Sequence, residues 1–371
     1  MNPYLPVLVA LGWVAGWWLL WRLPGLDAAI GTTTRIDDLA VIIPARNEAV
    51  SLPVLLADLA AQRPRPAEIV VVDDGSDDGT ADMARAAGAR VVRTDGPPPG
   101  WAGKSWACWT GVEATSAPVL VFLDADVRLT TTDALARLAE THQHFGGLLS
   151  VQPLHVTGRA VEGLSLAANV VVLAGSGAFT PHPNTPALAF GPCLVCQRRQ
   201  YIAVGGHAAV RGAVAEDAAL AGRFRQARLL VTLRAGRDVV SYRMYPRGVR
   251  PMVEGWTKNL AVGSGTTPRI AALLATAWVA AALGSVGLVV PSAGLSGVGP
   301  LAIAAGIYGA MVAQVAWMAR RVGRFGWWPI VAYPIPVAAF VAMFLWSAVR
   351  THVIGTVTWR GRRIAVGRQR A

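Results

Sequence analysis

The chain has 371 residues, of which 53% are hydrophobic and 15% are charged. A composition this apolar argues against an ordinary soluble enzyme and indicates segments that cross or bind a membrane. The formal net charge is +12, but the arginines cluster beside the apolar runs, which favours membrane topology and anionic lipid over nucleic acid as its cause.

The chain begins with an apolar segment, since residues 1–21 carry no charged side chain. That is close to the ~20 residues that a spanning helix needs. The segment lacks an early basic region and a small-residue cleavage site, so we expect a transmembrane anchor over 1–23 rather than a signal peptide. A linker over 24–38 is predicted to follow.

From residue 39 to about 265 the chain is less apolar, and strands alternate with helices. Short apolar runs that end in polar turns, typical of buried strands, are "LAVIIPARNE", "AEIVVVDDGSDDGT" and "APVLVFLDADVRL". Helical periodicity marks "SLPVLLADLAAQ" and "TADMARAAGA", and "ARVVRT" is a further strand. This alternation predicts an α/β domain with a mostly parallel sheet and helices on both faces. Ligands of such sheets bind at the carboxyl ends of the strands, where these runs place their polar residues.

The segment Gly103-Lys104-Ser105 resembles the end of an NTPase phosphate loop. That pattern needs a glycine at position 98, and Pro98 has no N–H to offer a phosphate, which argues against an NTPase. The chain has 34 basic residues, and Lys104 and Lys258 are the only lysines among them. Because lysine and arginine are not equivalent where a compact charge must meet a phosphate or carboxylate, we expect both lysines to face the donor or acceptor site. Chance placement is the alternative.

Three further features of this domain leave alternatives open. The stretch 160–180 has one charge, Glu162, and we expect a helix on the membrane surface or in the core, because a crossing would separate the acidic motifs. The tryptophans at 101, 106 and 109 either pack in the core or line a groove for a long apolar acceptor. Among the histidines, His207 is the best candidate for a site residue.

The C-terminal third is apolar again, since residues 270–319 and 325–349 carry no charge. Two or three transmembrane helices are predicted over 266–349, followed by a basic tail over 350–371. Arg22 after the first span places the soluble domain in the cytoplasm. Three more crossings would put the arginine-rich tail outside, so Pro334 and Pro336 predict a re-entrant segment that returns it to the cytoplasm.

Asp124 and Asp126 stand one residue apart at the end of a predicted buried strand. Two carboxylates in this arrangement can share Mg²⁺ or Mn²⁺, whose other ligands are diphosphate oxygens and water.

In this order, "VIIPARNEA", "VVDDGSDDGT" and "FLDADV" resemble the family-2 glycosyltransferases with the GT-A fold. The segments "GWAGKSWACWTG", "GPCLVCQRRQYIAVGGH", "VAEDAAL" and "RMYPRGVRPMVEGWTKN" are similar to its membrane-bound carotenoid subgroup, the 4,4′-diaponeurosporenoate glycosyltransferases. The resemblance covers nearly the whole chain. It implies a GT-A nucleotide-diphospho-sugar transferase domain on the cytoplasmic side of a bacterial cell membrane, held by N-terminal and C-terminal transmembrane helices.

The resemblance also implies a role for each matching residue. The uracil and ribose would be held by Pro44, Ala45, Arg46, Glu48, Asp73 and Asp74. Asp124 and Asp126 would hold the metal on the diphosphate, and Lys104 would face the same donor.

The Glu216-Asp217 pair matches the catalytic acid pair of the family, with Asp217 as general base. Trp256 matches the tryptophan of the (Q/R)xxRW element, although Met252 and Gly255 stand where Gln and Arg would be. Arg243 and Lys258 are therefore the candidates for stabilising the leaving group.

The implied reaction is transfer of a sugar, with inversion, from UDP-glucose to a carotenoid acid or xanthophyll that reaches the site along the membrane lipids. A hopanoid, polyprenyl phosphate, diacylglycerol or ceramide-like lipid is the alternative acceptor. Rival classes are a membrane-bound sugar nucleotidyltransferase and a transporter or scaffold with a non-catalytic domain. No nucleic acid partner is expected, and the sequence carries no signal for the oligomeric state.

Overall fold

The computed structural model describes residues 4–26, 38–181, 188–246, 248–263, 267–292, 298–354, 356–359 and 362–365. The chain divides into two compact units. The α/β unit comprises Pro24–Leu154 and Pro186–Arg243, and the helical unit comprises Met1–Leu23, His155–Thr185 and Met244–Ala371. Most of the predicted linker and part of the predicted basic tail lie outside the described residues.

This division differs from the contiguous domain predicted over 39–265. The apolar stretch after residue 155 and the helix before residue 265 belong to the helical unit instead. Their apolar side chains are buried against the C-terminal helices, which lie far away in the sequence and give no local signal of this pairing.

The strands are β1 Leu39–Ala45, β2 Glu68–Asp74, β3 Arg90–Thr94, β4 Val119–Leu123, β5 Val127–Leu129, β6 Leu148–Gln152, β7 Leu154–Val156, β8 Cys193–Gln197, β9 Val231–Ala235, β10 Val240–Tyr242, β11 Gly323–Arg324, β12 Thr356–Trp359 and β13 Arg362–Ala365. The α-helices are α1 Leu5–Leu19, α2 Leu52–Ala60, α3 Thr80–Ala86, α4 Gly103–Glu113, α5 Ala134–Phe145, α6 Leu166–Gly175, α7 Arg198–Ala203, α8 Glu216–Gln226, α9 Val249–Gly263, α10 Arg269–Ser292, α11 Val298–Val322, α12 Trp328–Val331 and α13 Pro334–Val349. Short 3₁₀ helices cover Ala160–Ser165 and Gly206–Val210.

The α/β unit is built on a seven-stranded sheet in the order β3-β2-β1-β4-β8-β6-β9. β3, β2, β1 and β4 are parallel, and so are β6 and β9. The side chains of β1 are buried along almost its whole length, as expected for a central parallel strand that is covered on both faces. The predicted strands and helices from residue 39 to residue 129 are all present.

β8 is the exception, because it runs antiparallel to both of its neighbours, β4 and β6. An antiparallel strand starts at the sheet edge where its parallel neighbours end. The residues that precede β8 therefore lie at the same edge as the carboxyl end of β4, and Asp124 donates its backbone N–H to the carbonyl of Pro192 at 3.0 Å.

Among the described residues of the helical unit, two segments are long and apolar enough to cross a membrane, Arg269–Val289 and Gly299–Val322. α1 and α13 are shorter apolar helices. α1 packs along α10, where a side chain at Gly12 would clash with the backbone of Ala277. α6 is buried along most of its length, so the core-helix alternative for the stretch 160–180 is confirmed.

Polar side chains tie these helices together. Gln314 of α11 accepts a hydrogen bond from Trp278 Nε1 at 3.1 Å and donates to the carbonyl of Trp13 in α1. The hydroxyls of Ser285 in α10 and Tyr333 beside α13 are hydrogen-bonded to each other. Small residues and side-chain amides are common at such helix interfaces.

Candidate active site

The first group of predicted donor-binding residues lies at the ends of β1 and β2, where Ala45 is in register with Asp73. Asp73 is fully buried, and its Oδ1 accepts the N–H of Ser76 at 3.0 Å. Its Oδ2 lies 3.5 Å from Nε of Arg93. Sequence reasoning missed Arg93, whose position opposite Asp73 is set by the β2–β3 register.

Asp74 also meets an arginine, because its Oδ2 lies 3.9 Å from Nη1 of Arg46. Thr94 donates its hydroxyl to Oδ1 of Asp74 at 3.2 Å. Burial raises the pKa of Asp74, and the contacts with Thr94 and Arg46 act against that rise. Arg46 and the two aspartates therefore form one polar corner at the ends of β1 and β2, and their predicted role in holding uracil and ribose stays a prediction.

Backbone N–H groups in the loop after β1 donate to side-chain hydroxyls in the loop after β2 and at the start of α3. The N–H of Asn47 donates to Ser76 Oγ at 2.9 Å, and the N–H of Glu48 donates to Thr80 Oγ1 at 2.9 Å. Asn47 adopts a left-handed conformation with φ of 54°. Glu48, two residues after Arg46, is 8% exposed and therefore buried.

Lys104 is the centre of a second group of charges. Its Nζ lies 2.7 Å from Asp124 Oδ1 and 3.4 Å from Glu216 Oε1. Burial alone would lower the pKa of Lys104, but the charges of Asp124 and Glu216 outweigh burial and raise that pKa well above 10.5. Lys104 therefore lies between a predicted metal ligand and a predicted catalytic acid, and its predicted place at the donor stays a prediction.

The predicted acid pair begins α8, with Glu216 and Asp217 in its first turn. A helix N-terminus stabilises negative charge. Asp217 Oδ2 accepts the N–H of Gly191 at 2.9 Å, and its Oδ1 accepts the N–H of Ala218 at 2.8 Å. Asp217 is thereby held as a hydrogen-bond acceptor, in the form that a general base or an electrostatic group requires.

A cavity in the α/β unit joins these groups. It is lined by Pro44, Lys104, Cys108, Phe122, Asp124, Gly191, Leu194, His207, Glu216 and Asp217. The structure thus brings together the end of β1, the first aspartate of the D-x-D motif, the lysine and the acid pair, which are separated by up to 173 positions in the chain.

His207 lines the same cavity and is 1% exposed. The hydroxyl of Tyr201 accepts the backbone N–H of His207 at 2.9 Å and lies 2.8 Å from Nδ1. The direction of the hydrogen bond between Tyr201 and Nδ1 depends on the tautomer of the ring. Burial lowers the pKa of His207 to about 4, while Glu216 raises that pKa and Lys104 lowers it. His207 is therefore a neutral ring inside a charged site.

The predicted metal ligands Asp124 and Asp126 are both half-buried just after β4. Within the described residues, no group of three or more His, Cys, Asp or Glu side chains is placed to hold a metal ion. Two carboxylates of this kind fit a hard cation such as Mg²⁺ or Mn²⁺ whose remaining positions are filled by diphosphate oxygens and water.

Of the predicted donor-binding residues, only Pro44, Lys104 and Asp124 line this cavity. Arg243 is exposed just after β10 in the α/β unit. Trp256 and Lys258 lie on α9 of the helical unit, where Trp256 is 2% exposed and packs near Tyr245. The roles predicted for these three residues stay predictions.

The tryptophans around Lys104 form an aromatic cluster. The ring centroids of Trp101 and Trp106 are 5.2 Å apart, and Trp109 stacks on Tyr201 at 6.2 Å. All three tryptophans are half-buried, which leaves both the core and the groove interpretation open.

Comparison with known proteins agrees with this geometry. The family model described as "Glycosyl transferase family 2" matches residues 40–160. A 4,4′-diaponeurosporenoate glycosyltransferase from Staphylococcus aureus strain MRSA252 is 35% identical over 339 residues, which are 89% of each chain. The chain belongs to glycosyltransferase family 2. The protein of the same name from strain USA300 is also 35% identical over 89% of each chain.

A solved structure shows the fold of this glycosyltransferase. The mannosyltransferase PcManGT from Pyrobaculum calidifontis, in complex with GDP-Man and Mn²⁺, aligns with a TM-score of 0.51 at 18% identity. The alignment covers 92% of this chain and 95% of that one. The predicted GT-A fold and the predicted enzyme class are both confirmed.

Proposed function

We propose that this glycosyltransferase transfers glucose from UDP-glucose to a carotenoid acid, with inversion, at the cytoplasmic face of a bacterial membrane. The observation that carries the proposal is the cluster in which Lys104 lies between Asp124 and Glu216, next to Asp217. It joins a candidate metal ligand to the candidate base within one cavity.

The donor would lie along the ends of β1, β2 and β4. Arg46, Asp73 and Asp74 form a polar corner suited to the hydroxyls and N–H groups of uridine. Mg²⁺ or Mn²⁺ held by Asp124 and Asp126 would neutralise charge that builds up on the departing nucleoside diphosphate.

The chemistry of the acceptor falls to the acid pair. A carotenoid acid would attack the anomeric carbon as a carboxylate and has no proton to give. The hydroxyl of a xanthophyll would instead give its proton to Asp217, whose two carboxylate oxygens are held by backbone N–H groups. In either case a single displacement inverts the configuration of the sugar. Lys104 would stay beside the diphosphate and hold Glu216 and Asp124 in place.

The choice of acceptor rests on the relatives. The two S. aureus proteins are named for 4,4′-diaponeurosporenoate, a carotenoid acid. The apolar helices of this chain suit an acceptor of that kind, because such a molecule is dissolved in the membrane rather than in water. UDP as the nucleotide and glucose as the sugar come from the family resemblance.

The contacts within the helical unit also support a topology. Arg321 at the end of α11 donates to the carbonyls of Leu20 and Trp21 at 3.0 and 3.3 Å. The C-terminal ends of α1 and α11 therefore lie together, and both carry arginines. By the positive-inside rule this end is cytoplasmic, and α10 and α11 form a hairpin across the membrane.

α13 would then be re-entrant. Tyr333, just before the start of α13, is hydrogen-bonded to Ser285 of α10. At 1.5 Å per residue, Ser285 lies roughly 24 Å along α10 from Arg269. α13 ends near Ser347, whose hydroxyl donates to the carbonyl of Thr257 in α9 at 2.8 Å. Since α9 leads directly into the start of α10, the chain returns to the cytoplasmic side before the basic tail.

The identity of the donor nucleotide can be tested by measuring nucleotide binding. Melting temperatures of the detergent-purified protein would be measured with Mn²⁺ plus UDP, GDP, CDP or ATP. We expect stabilisation by Mn²⁺–UDP alone, by about 2.7 kcal/mol at 100 times the dissociation constant, and its loss in Asp126→Asn. The exposed Asp82→Asn is the matched control and keeps the response. A protein that responds to no nucleoside diphosphate would contradict the proposal.

Reporter fusions test the topology. A fusion after residue 371 should report a cytoplasmic C-terminus, and a reporter inserted between α10 and α11 should report the opposite side. A C-terminal reporter on the outer side would overturn the re-entrant assignment.

A further inference from the structure

Three residues before β8, Phe190 to Pro192, touch several charged residues of the site, and we call them the strap. The N–H of Gly191 donates to Asp217 Oδ2 at 2.9 Å. The carbonyl of Gly191 accepts from Lys104 Nζ at 3.4 Å. The carbonyl of Pro192 accepts the N–H of Asp124 at 3.0 Å. One short segment of backbone therefore contacts the base, the ammonium and the D-x-D motif.

The strap is fixed from behind by Ser150 on β6. Ser150 is fully buried, and its hydroxyl accepts the N–H of Phe190 at 2.6 Å. The same hydroxyl donates to the carbonyl of Phe190 at 3.2 Å. Because both bonds go to one residue, Ser150 fixes the direction in which the next peptide group, that of Gly191, faces the cavity.

Position 191 needs a glycine because there is no room for a side chain, and not because its backbone conformation favours glycine. Its φ is outside the left-handed range in which glycine is favoured. A Cβ built on Gly191 would lie 2.9 Å from Asp217 Oδ2 and 3.2 Å from Lys104 Nζ. Any side chain would thus push the carboxylate and the ammonium away from the peptide group that they both touch.

We propose that the strap is a positioning element of the transferase, in which Ser150 and Gly191 set the relative placement of Asp217, Lys104 and Asp124. The inference deepens the proposed function and rests on the roles given there to Asp217 and Lys104. It predicts that the larger effect falls on turnover, because Gly191 touches the base directly. A smaller effect on donor binding is expected through Lys104, since Gly191 touches none of the residues at the ends of β1 and β2 that would hold the uridine.

The direct test is Gly191→Ala, with Gly222→Ala as the matched control. Gly222 lies on α8 and has nothing within 4 Å of a built Cβ. Because a displacement of about 1 Å can cost 10²-fold in rate, we expect kcat of Gly191→Ala to fall roughly 10²-fold, with the KM for UDP-glucose within about threefold of wild type. Equal kcat values for the two alanine variants would overturn the proposal.

Ser150 gives a second test that leaves the cavity itself unchanged. Ser150→Ala removes both bonds to Phe190, and we expect kcat to fall about tenfold with the donor KM retained. Ser150→Thr keeps the hydroxyl and should restore most of kcat. If Ser150→Ala and Ser150→Thr lowered the melting temperature equally and left kcat at the wild-type value, Ser150 would have no positioning role.

A third measurement does not depend on which sugar or acceptor is correct. Lys104 and Lys258 are the only lysines, so acetylation of Lys104 can be followed by mass spectrometry in the unliganded protein. In Gly191→Ala the displaced ammonium should react several-fold faster than in wild type, and in Gly222→Ala at the wild-type rate. If Lys104 of Gly191→Ala reacts at the wild-type rate, the positioning role of the strap is refuted, whether or not the donor is UDP-glucose. If it reacts faster, the positioning role is supported, again independently of the donor.

Discussion

Each unit of the molecule buries a cluster of polar side chains, and the two clusters differ in chemistry. In the α/β unit, Lys104 and Asp124 carry full charges and keep 32% and 27% of their side-chain surface exposed. In the helical unit, Gln314 and Ser285 are neutral and fully buried.

The difference follows from the cost of burying charge. A charge far from water is tolerated only with well-placed partners, and the pair then adds little net stability. The α/β unit accepts this cost at the place that we propose handles a metal, a diphosphate and a proton. The helical unit needs only to hold helices together, and neutral hydrogen bonds of about 0.6 kcal/mol each suffice for that.

Removal of the positive charge of Lys104 should have the largest effect on the charged cluster. Lys104→Met leaves Asp124 and Glu216 near each other without their shared cation, so we expect kcat/KM to fall 10²- to 10³-fold, as for other preorganised electrostatic groups. Steady-state kinetics on detergent-purified protein would measure this. Arg90→Met, which breaks an exposed ion pair with Glu68, is the control and should stay within twofold. Full activity of Lys104→Met would show that the cluster is only structural.

The effect of replacing Asp217 on the transfer rate should depend on the chemistry of the acceptor. A carboxylate acceptor is already ionised near pH 7 and gives no proton to a base. Asp217→Asn should then lose far less than the 10²–10⁴-fold typical of general-base removal, whereas a hydroxyl acceptor should show the full loss. Transfer assays with one acceptor of each kind would separate the two. A large loss with a proven carboxylate acceptor would recast Asp217 as an orienting group.

A neutral side chain inside the charged cluster should make stability depend on pH. His207 has a pKa of about 4 when folded against 6.5 in its reference state, so the folded protein binds fewer protons than the unfolded one between these values. Stability should fall as the pH drops from 6.5 to 4, by at most on the order of 3 kcal/mol. Melting temperatures of wild type and His207→Phe across this range should diverge. Parallel curves would contradict the buried neutral ring.

The neutral cluster should give the smallest effect. Gln314→Leu removes the acceptor of the Trp278 N–H, and we expect a loss of about 1 kcal/mol in lipid nanodiscs with activity retained. A double-mutant cycle with Trp278→Phe would isolate the pair. A coupling energy near zero would mean that the helices are held by packing alone.

The sequence predicted the sheet and the strand-end carboxylates well because both depend on local pattern. An apolar run followed by "DDGS" or "DAD" places Asp73 and Asp124 at a strand end whatever surrounds them. Lys104 was found because it is one of two lysines among many arginines, which is a signal that needs no contacts.

The site residues that the sequence could not reveal owe their positions to pairing between segments that are distant in the chain. Arg93 matters through its register opposite Asp73, and Gly191 matters through the space between Asp217 and Lys104. A glycine that permits close approach looks the same in a sequence as a glycine in a turn. The division into two units was missed for the same reason, because the buried face of α6 gives no sign of which helices cover it.

The contact of Arg321 with Leu20 and Trp21 also bears on how the protein is made. The donor and the acceptors are 301 and 300 positions apart, so at about 5–20 residues per second the ribosome needs roughly 15–60 s to supply the arginine. During most of that interval α1 has neither α10 nor α11 to pack against, because α10 is complete only at residue 292 and α11 only at residue 322. A chain that stops before residue 321 never supplies this contact, so α1 lacks it in every product that is truncated before that residue.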